Sequence, residues 1–371
     1  MIKSLPIDNK TEATLLSLLV AFIVLFPLCN GVFEPGSALH VSAFSLGVWG
    51  KYLCYAVLAV SLNMLWGYTG LLCLGQNLFF ALGGYAFGMY LMMNLGGPGA
   101  EEIVLPNFMT QRGLTMVPDW FAPFQNPLVS LLAVVLVPGL VALIFGTLAF
   151  RSRIKGVYFS ILTQALVYAA MLLFLRGSTG FGGTNGFTNY QYIFGAPINS
   201  EATARWLFVG SGALLLGVYL LVAWMLKTKF GLVQQAIRDS ENRVRFSGYS
   251  TTHFKTFVFT LSAMIAGVAG ALYVPQAGII NPSEMLPAKG LDVVVWVAVG
   301  GRGTKLGPIV GAVLVSMLKS YTTRAFPEYW LLILGGLFVL VVLFMPDGIM
   351  GLWKKYKHLI FSRKTGEPVA A

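Results

Sequence analysis

Apolar residues in this chain gather into long runs broken by short polar punctuation. The pattern is neither the two-residue alternation of a half-buried strand nor the narrow stripe of a surface helix. The runs fall at about 13–33, 46–67, 71–95, 128–150, 156–175, 206–226, 256–275, 291–300, 308–323 and 328–346. A helix needs roughly 20 mainly apolar residues to cross a bilayer, so the pattern predicts an all-α, polytopic transmembrane helix bundle of about eight to ten spans. The eighth run is too short to cross as an ordinary helix. It ends in GGRGTKLGP, Gly300–Pro308, which must be irregular backbone. Such backbone survives at membrane depth only against protein or water. Two packed, partly broken segments are therefore expected there, deep in the bundle.

Composition makes lipid the solvent. The chain has 371 residues, 57% hydrophobic and 11% charged, with mean hydropathy +0.75, where a soluble protein carries about a quarter charged residues. Its net charge of +11 sits in short loops rather than along one face or an aromatic groove, which argues against a nucleic-acid partner. Cys29, Cys54 and Cys73 lie in or beside apolar runs; an odd number without CxxC reads as small core residues, not disulfides or a metal site. Lys3 and Lys10 precede an apolar run from Ala13 to Leu28 with no A-x-A after it, so a retained first span is expected rather than a cleaved signal peptide.

Lys and Arg in short loops set orientation. Arg151, Arg153 and Lys155 share one loop, and both Lys227–Lys255 and Gly351–Ala371 are net basic. The 96–127 loop carries Glu101, Glu102 and Asp119 against Arg112 alone. Ten spans with both termini cytoplasmic put every basic loop inside and the acidic loop outside. This divides the chain into a cytoplasmic N-terminus (1–12), a transmembrane domain (13–353) and a cytoplasmic basic tail (354–371). Two long outer loops, 96–127 and 177–204, read either as docking surfaces for an external protein or as lids.

Three segments are candidates for chemistry. Lys227–Lys255 is the one long charge-rich stretch inside the oily chain. Leu232–Phe246 is helix-compatible, punctuated by Gly231 before and Gly248 after. Val233, Ala236, Ile237 and Val244 form an apolar stripe, while Arg238, Asp239, Glu241, Arg243 and Arg245 face water or a partner. It reads as a docking helix, with a solvated loop helix as the alternative. Asn63–Gly88 combines glycines at 67, 70, 75, 83, 84 and 88 with the amides Asn63, Gln76 and Asn77 at membrane depth. Interrupted helices with exposed peptide groups can form a solute path; amides bonding helix to helix are the other reading. Gln164 on a separate span is a similar case. FGGTNGFT at Phe181–Thr188 and the glycine run at Gly300–Gly307 both lack the GK[ST] ending of a P-loop, so no nucleotide site is expected. His40, His253 and His358 lie in different loops, and HExxH, GxSxG and paired intramembrane carboxylates do not occur. Asp292 is expected at the membrane interface. The near absence of buried acids argues against a proton- or sodium-driven carrier.

Together these residues resemble the permease subunits of branched-chain amino acid ABC importers, on the LivM-like side. The matching pieces are Gly67–Tyr85, Phe230–Tyr249 with Lys255, Ala266–Gln276, Gly300–Pro308 and MPDGIMGLW from Met345, spread over roughly residues 45–353. Phe150–Ala169, Gly180–Thr188, Ala271–Glu284 and Val294–Gly307 are most similar to the urea permease branch, the UrtC type. One departure is Leu74–Gln76, which reads LGQ where the family often carries LGH.

The resemblance implies a half-pore that needs no cofactor. It would work with a second homologous permease subunit, two cytoplasmic ATPase subunits and an external, periplasmic urea-binding protein. Phe230–Tyr249 would be the coupling helix, contacting the ATPases through Gly231, Ala236, Ile237, Arg238, Asp239, Glu241, Arg243 and Gly248. Asn63, Gln76, Asn77 and Gln164 would line the path of a small neutral solute. Alternatives are a permease for branched-chain amino acids or short amides, a passive urea channel, and a scaffold.

Overall fold

The computed structural model describes residues 9–34, 37, 40–97, 105–110, 116–154, 156–329 and most of 332–352. Residues 1–8, Glu101, Glu102, Arg112, Lys155, His358 and the basic tail at 354–371 lie outside them. The described chain is helical: α1 (Asn9–Val32), α2 (Ala43–Trp66), α3 (Gln76–Met93), a short α4 (Asn107–Thr110), α5 (Pro127–Arg151), α6 (Val157–Leu175), α7 (Glu201–Lys227), α8 (Lys229–Phe246), α9 (Thr251–Ala277), α10 (Pro287–Gly300) and α11 (Gly307–Ala325). Further helical residues follow between 332 and 352. Two-residue strands β1 (Phe187–Thr188), β2 (Tyr192–Ile193), β3 (Ala196–Pro197) and β4 (Ile279–Ile280) pair antiparallel as β1–β4 and β2–β3.

Local chemistry sets several of these boundaries. Ser42, Asn126 and Ser200 cap α2, α5 and α7 by accepting the Ser45, Leu128 and Thr203 N–H groups, and Pro127 fills the first turn of α5, where a missing N–H costs nothing. Gly278 ends α9 in a left-handed turn that glycine adopts without a Cβ penalty.

Among the described residues six helices are long and apolar enough to cross a membrane by themselves: α1 from Glu12, α2, α5, α6, α7 and α9. The apolar run at 71–95 does not form one continuous span. Its first part is irregular from Gly67 to Gly75, and only Gln76–Met93 is helical. Nearly every α3 residue is buried, because α3 stands at the centre of the bundle between α9, α5 and α2 rather than against lipid. The crossing is close because both partners are glycine: a Cβ at Gly83 would strike the Gly267 backbone, and one at Gly270 the Phe80 carbonyl. Small residues of this kind let membrane helices approach within backbone contact.

The eighth run also differs from its expected length. Helix α10 starts at Pro287, ahead of the apolar stretch, and its 14 residues rise about 21 Å. It descends to a turn at 301–306, from which α11 returns. The turn touches the end of α2, where Arg302 donates to the Trp66 carbonyl, and the start of α1, where Lys305 reaches Glu12. Helix α8 and Gly156 gather at the same end, and the basic residues mark that end as cytoplasmic. At the opposite end the 177–204 loop folds onto the bundle. Phe187 pairs with Ile280, Phe181 stacks on Phe174 at 4.1 Å, and Tyr190 donates to the Phe187 carbonyl. This loop is a packed lid over α3, α6 and α9. Burial raises the Tyr190 phenol above its ordinary pKa.

Candidate transport pathway and coupling segment

The irregular segment Gly67–Gly75 joins the cytoplasmic end of α2 to α3, with Asn63 just before it and Gln76 and Asn77 just after it. Gln76 opens α3. Its Nε2 donates to Ser61 Oγ at 2.9 Å and to Ser262 Oγ at 2.8 Å, tying α3 to α2 and α9. Asn77 Nδ2 donates to the Glu284 and Leu286 carbonyls, both at 3.1 Å. Asn63 faces the other way, toward the 301–306 turn. Gln164 lies one residue beyond Thr163, whose hydroxyl accepts the Leu74 N–H at 3.2 Å. Gln76 and Asn77 follow the Gly67–Gly75 segment, Asn63 precedes it, and Gln164 sits on α6 next to Thr163. Three amide oxygens, Gln76 Oε1, Asn77 Oδ1 and Gln164 Oε1, are buried and have no hydrogen-bond donor among the described residues. An orphaned buried acceptor costs about 1–3 kcal/mol.

The cytoplasmic end of α2 is held by side chains from distant parts of the chain. A helix leaves its last carbonyls without intrahelical donors. Here Gly67 N–H takes the Asn63 carbonyl, and the Thr69 and Leu71 N–H groups take that of Leu65. The others are capped from elsewhere. Gln234 Nε2 donates to the Met64 carbonyl at 2.8 Å and to Thr69 Oγ1 at 2.7 Å. Arg302 Nε reaches the Trp66 carbonyl at 3.2 Å and stacks on the Trp66 ring. Arg238 donates to the Gly67 carbonyl at 2.9 Å. Burial, and then the nearby Arg238 charge, lowers the Arg302 guanidinium from its ordinary pKa.

Helix α8 corrects the expected coupling segment in three respects. It begins at Lys229, so Gly231 is inside the helix, its missing Cβ allowing contact with the Leu226 backbone. It breaks at Ser240, whose backbone is extended (φ −160°, ψ 92°), into two short arms. Its inward face is Gly231, Gln234, Ile237 and Val244, while Ala236 is exposed and Val233 half-buried. Two charges expected outside turn inward. Arg238 lies against α2, its side chain 16% exposed, and Glu241 pairs with Lys255 of α9 at 2.7 Å and with Arg245 at 2.9 Å. Asp239, Arg243 and Gly248 remain at the surface.

Sequence reasoning missed Gln234, although it falls with Gly231 and Ile237 at the three-residue spacing of one helix face. It also missed the ion pairs between elements. Asp292, near the start of α10, is buried and pairs with Lys319 of α11 at 2.6 Å. Glu12 of α1 pairs with Lys305 at 2.7 Å and accepts from the Tyr219 hydroxyl. At the outer end Glu284 meets Lys289 at 3.3 Å and the Tyr273 hydroxyl at 3.5 Å; Tyr273 in turn touches Tyr55, whose ring packs on Trp296. Among the described residues no cluster of His, Cys, Asp or Glu could hold a metal ion.

A bundle of long apolar helices around a buried α3, with a charged helix capping the α2–α3 connection, is the design of a multi-pass membrane protein. The chain belongs to the family described as the branched-chain amino acid transport system/permease component, which matches residues 45–342. It is 28% identical to the high-affinity branched-chain amino acid transport system permease protein LivM of Salmonella typhimurium, over 88% of this chain and 75% of that protein. The LivM protein of Escherichia coli is 27% identical over 85% of this chain and 72% of its own length. The ribose import permease protein RbsC of Escherichia coli is 23% identical over 53% of this chain and 61% of its own length. No solved structure matches. The protein is a multi-pass inner-membrane permease component of an ABC transporter, not an enzyme, in a family whose members work with ATPase subunits and a substrate-binding protein.

Proposed function

We propose that this chain forms half of the membrane pathway of an ATP-driven importer for urea. It would pair with a second homologous permease, two cytoplasmic ATPase subunits bearing on α8, and an external urea-binding protein. The observation behind this reading is that three amide oxygens of the candidate path residues, Gln76 Oε1, Asn77 Oδ1 and Gln164 Oε1, are buried without a donor among the described residues. Urea is small and neutral and carries N–H donors on both nitrogens. It would satisfy such acceptors without asking for a charge. The resemblance of Phe150–Ala169, Gly180–Thr188 and Val294–Gly307 to the urea branch points the same way.

Import of branched-chain amino acids is the second reading, favoured by the LivM relatives and by the outer Glu284–Lys289 pair, which offers both signs of charge to a zwitterion. Short amides share the chemistry of the first reading. The deciding experiment is uptake of labelled urea and labelled leucine by vesicles holding the complete transporter, with and without cytoplasmic ATP. ATP-dependent urea uptake that leucine leaves untouched supports the urea importer. Leucine uptake moves the chain to the amino acid reading, and urea flux indifferent to ATP makes it a passive channel. Gln164→Leu, which removes one acceptor, is expected to lower urea uptake about tenfold while the protein reaches the membrane at parental levels.

A further inference from the structure

We infer that the Gly67–Gly75 segment is the cytoplasmic gate of the pathway, and that Gln234 is the latch that holds it shut. The inference rests on α8 being the element that the ATPase subunits move.

Gln234 is an uncharged amide, 1% exposed, on the inward face of a helix whose other polar groups are mostly at the surface. Both bonds of its Nε2 go to the gate region, one to the last turn of α2 at Met64 and one to the Thr69 hydroxyl inside the irregular segment. Thr69 Oγ1 itself turns back to the Met64 carbonyl at 3.3 Å. Three groups thus close a ring that holds the start of the segment against the helix end. One turn further along α8, Arg238 takes the Gly67 carbonyl and lays its stem on Gly70, where a Cβ would lie 3.0 Å from Arg238 Cγ. Gly70 has φ +79°, a conformation that glycine takes without strain.

The latch can move without dragging the rest of the cytoplasmic face with it. The extended residue Ser240 separates the first arm of α8, which holds α2, from the second arm, whose Glu241 is tied to Lys255 of α9. A cavity of about 350 Å³ lies beneath the segment, lined among others by Thr69, Gly70, Leu71, Arg238 and Glu241. If the first arm tilts away, the Gly67 carbonyl loses its Arg238 donor, the Met64 carbonyl keeps only the longer bond from Thr69, and both face this polar cavity. Gly67–Gly75 has no helix or strand pairing of its own to preserve its shape, so it rearranges, and Gln76 and Asn77 just beyond it meet the cytoplasmic side.

The test needs no knowledge of the cargo. Leu71, buried in the segment, is replaced by Cys in a chain whose Cys29, Cys54 and Cys73 are Ala. The complete transporter in inside-out vesicles is then labelled with a membrane-impermeant maleimide, with and without ATP and vanadate. The parent is expected to label slowly at rest and to change rate with nucleotide. Gln234→Leu, which removes two hydrogen bonds, is expected to raise the resting rate at least about tenfold and to flatten the nucleotide response. Thr69→Val removes the Gln234–Thr69 bond but leaves the one to Met64, and should raise the resting rate in the same direction by less; the two together should add little to Gln234→Leu alone. If Gln234→Leu does not assemble, Thr69→Val decides. Resting rates and nucleotide responses equal to the parent in the assembled variants would overturn the latch, even where the parent imports urea. The expected labelling in a transporter that moves no urea supports the latch and removes only the substrate assignment.

Discussion

The Asn63 side chain acts on Gly303 as a neighbouring strand would: its Oδ1 accepts the Gly303 N–H at 2.9 Å, and its Nδ2 donates to the next carbonyl, that of Thr304, also at 2.9 Å. One amide thereby satisfies two backbone groups of a turn that has no regular structure. Asn63→Ala should leave both unpaired, at about 1–3 kcal/mol for buried polar groups. The expected outcome is a lower thermal unfolding temperature of the purified transporter with an unchanged KM for its substrate. A changed KM at parental stability would make Asn63 a path residue instead.

Charge reversal on α8 separates docking from internal structure only if the right arginine is chosen. Arg238 holds Gly67, so Arg238→Glu disturbs the gate as well as any docking face. Arg243 is exposed and its side chain has no ion pair among the described residues. Arg243→Glu should abolish ATP-driven uptake while the chain inserts normally, as read by immunoblot of membranes. Uptake at the parental rate would remove Arg243 from the coupling surface.

The Glu241–Lys255 pair joins the second arm of α8 to α9, with side chains 15% and 6% exposed. Lys255→Met should destabilise the transporter by about 3 kcal/mol, the lower end of what a broken buried pair costs, because Arg245 still reaches Glu241. Thermal unfolding of Lys255→Met beside Glu241→Gln/Lys255→Met tests this. Removing the Glu241 charge, which has then lost its most buried partner, should restore part of the loss.

At the α3–α9 crossing, Gly83→Val drives a branched side chain into the Gly267 backbone. Overpacking costs about 1–3 kcal/mol where side chains can yield, and here backbone would have to move. The expected result is loss of folded protein at all temperatures, whereas Gly210→Val, on a roomier face of α7, should assemble normally.

Much of this architecture was readable from residue order alone. The apolar runs anticipate the helices. Among the glycines of Asn63–Gly88, Gly83 marks close packing against Gly267, and Gly67, Gly70 and Gly75 fall in the irregular connection between α2 and α3. Local signals miss what depends on distant partners. Asp292 gives no hint in sequence of Lys319, nor Glu12 of Lys305 almost the whole chain away. Gln234 looks like one more polar residue on a charged helix until Met64 and Thr69 are seen beneath it. The start of α10 was missed because Pro287–Gly290 is less apolar than the run it leads, although proline suits a first helical turn. Gln76 and Asn77 were expected at the break, but that each would spend its nitrogen on neighbours and leave its oxygen open follows only from the packed helices.

The order in which the chain is made gives the cap on α2 a timing. Met64 and Trp66 leave the ribosome early, but Gln234 is made 170 residues after Met64, and Arg302 is made 236 residues after Trp66. At bacterial rates of about 20 residues per second, at the upper end of the general range, the end of α2 waits roughly ten seconds in the membrane with bare carbonyls. Throughout that interval the nascent transporter holds an unfinished helix end that only the second half of its own chain can close.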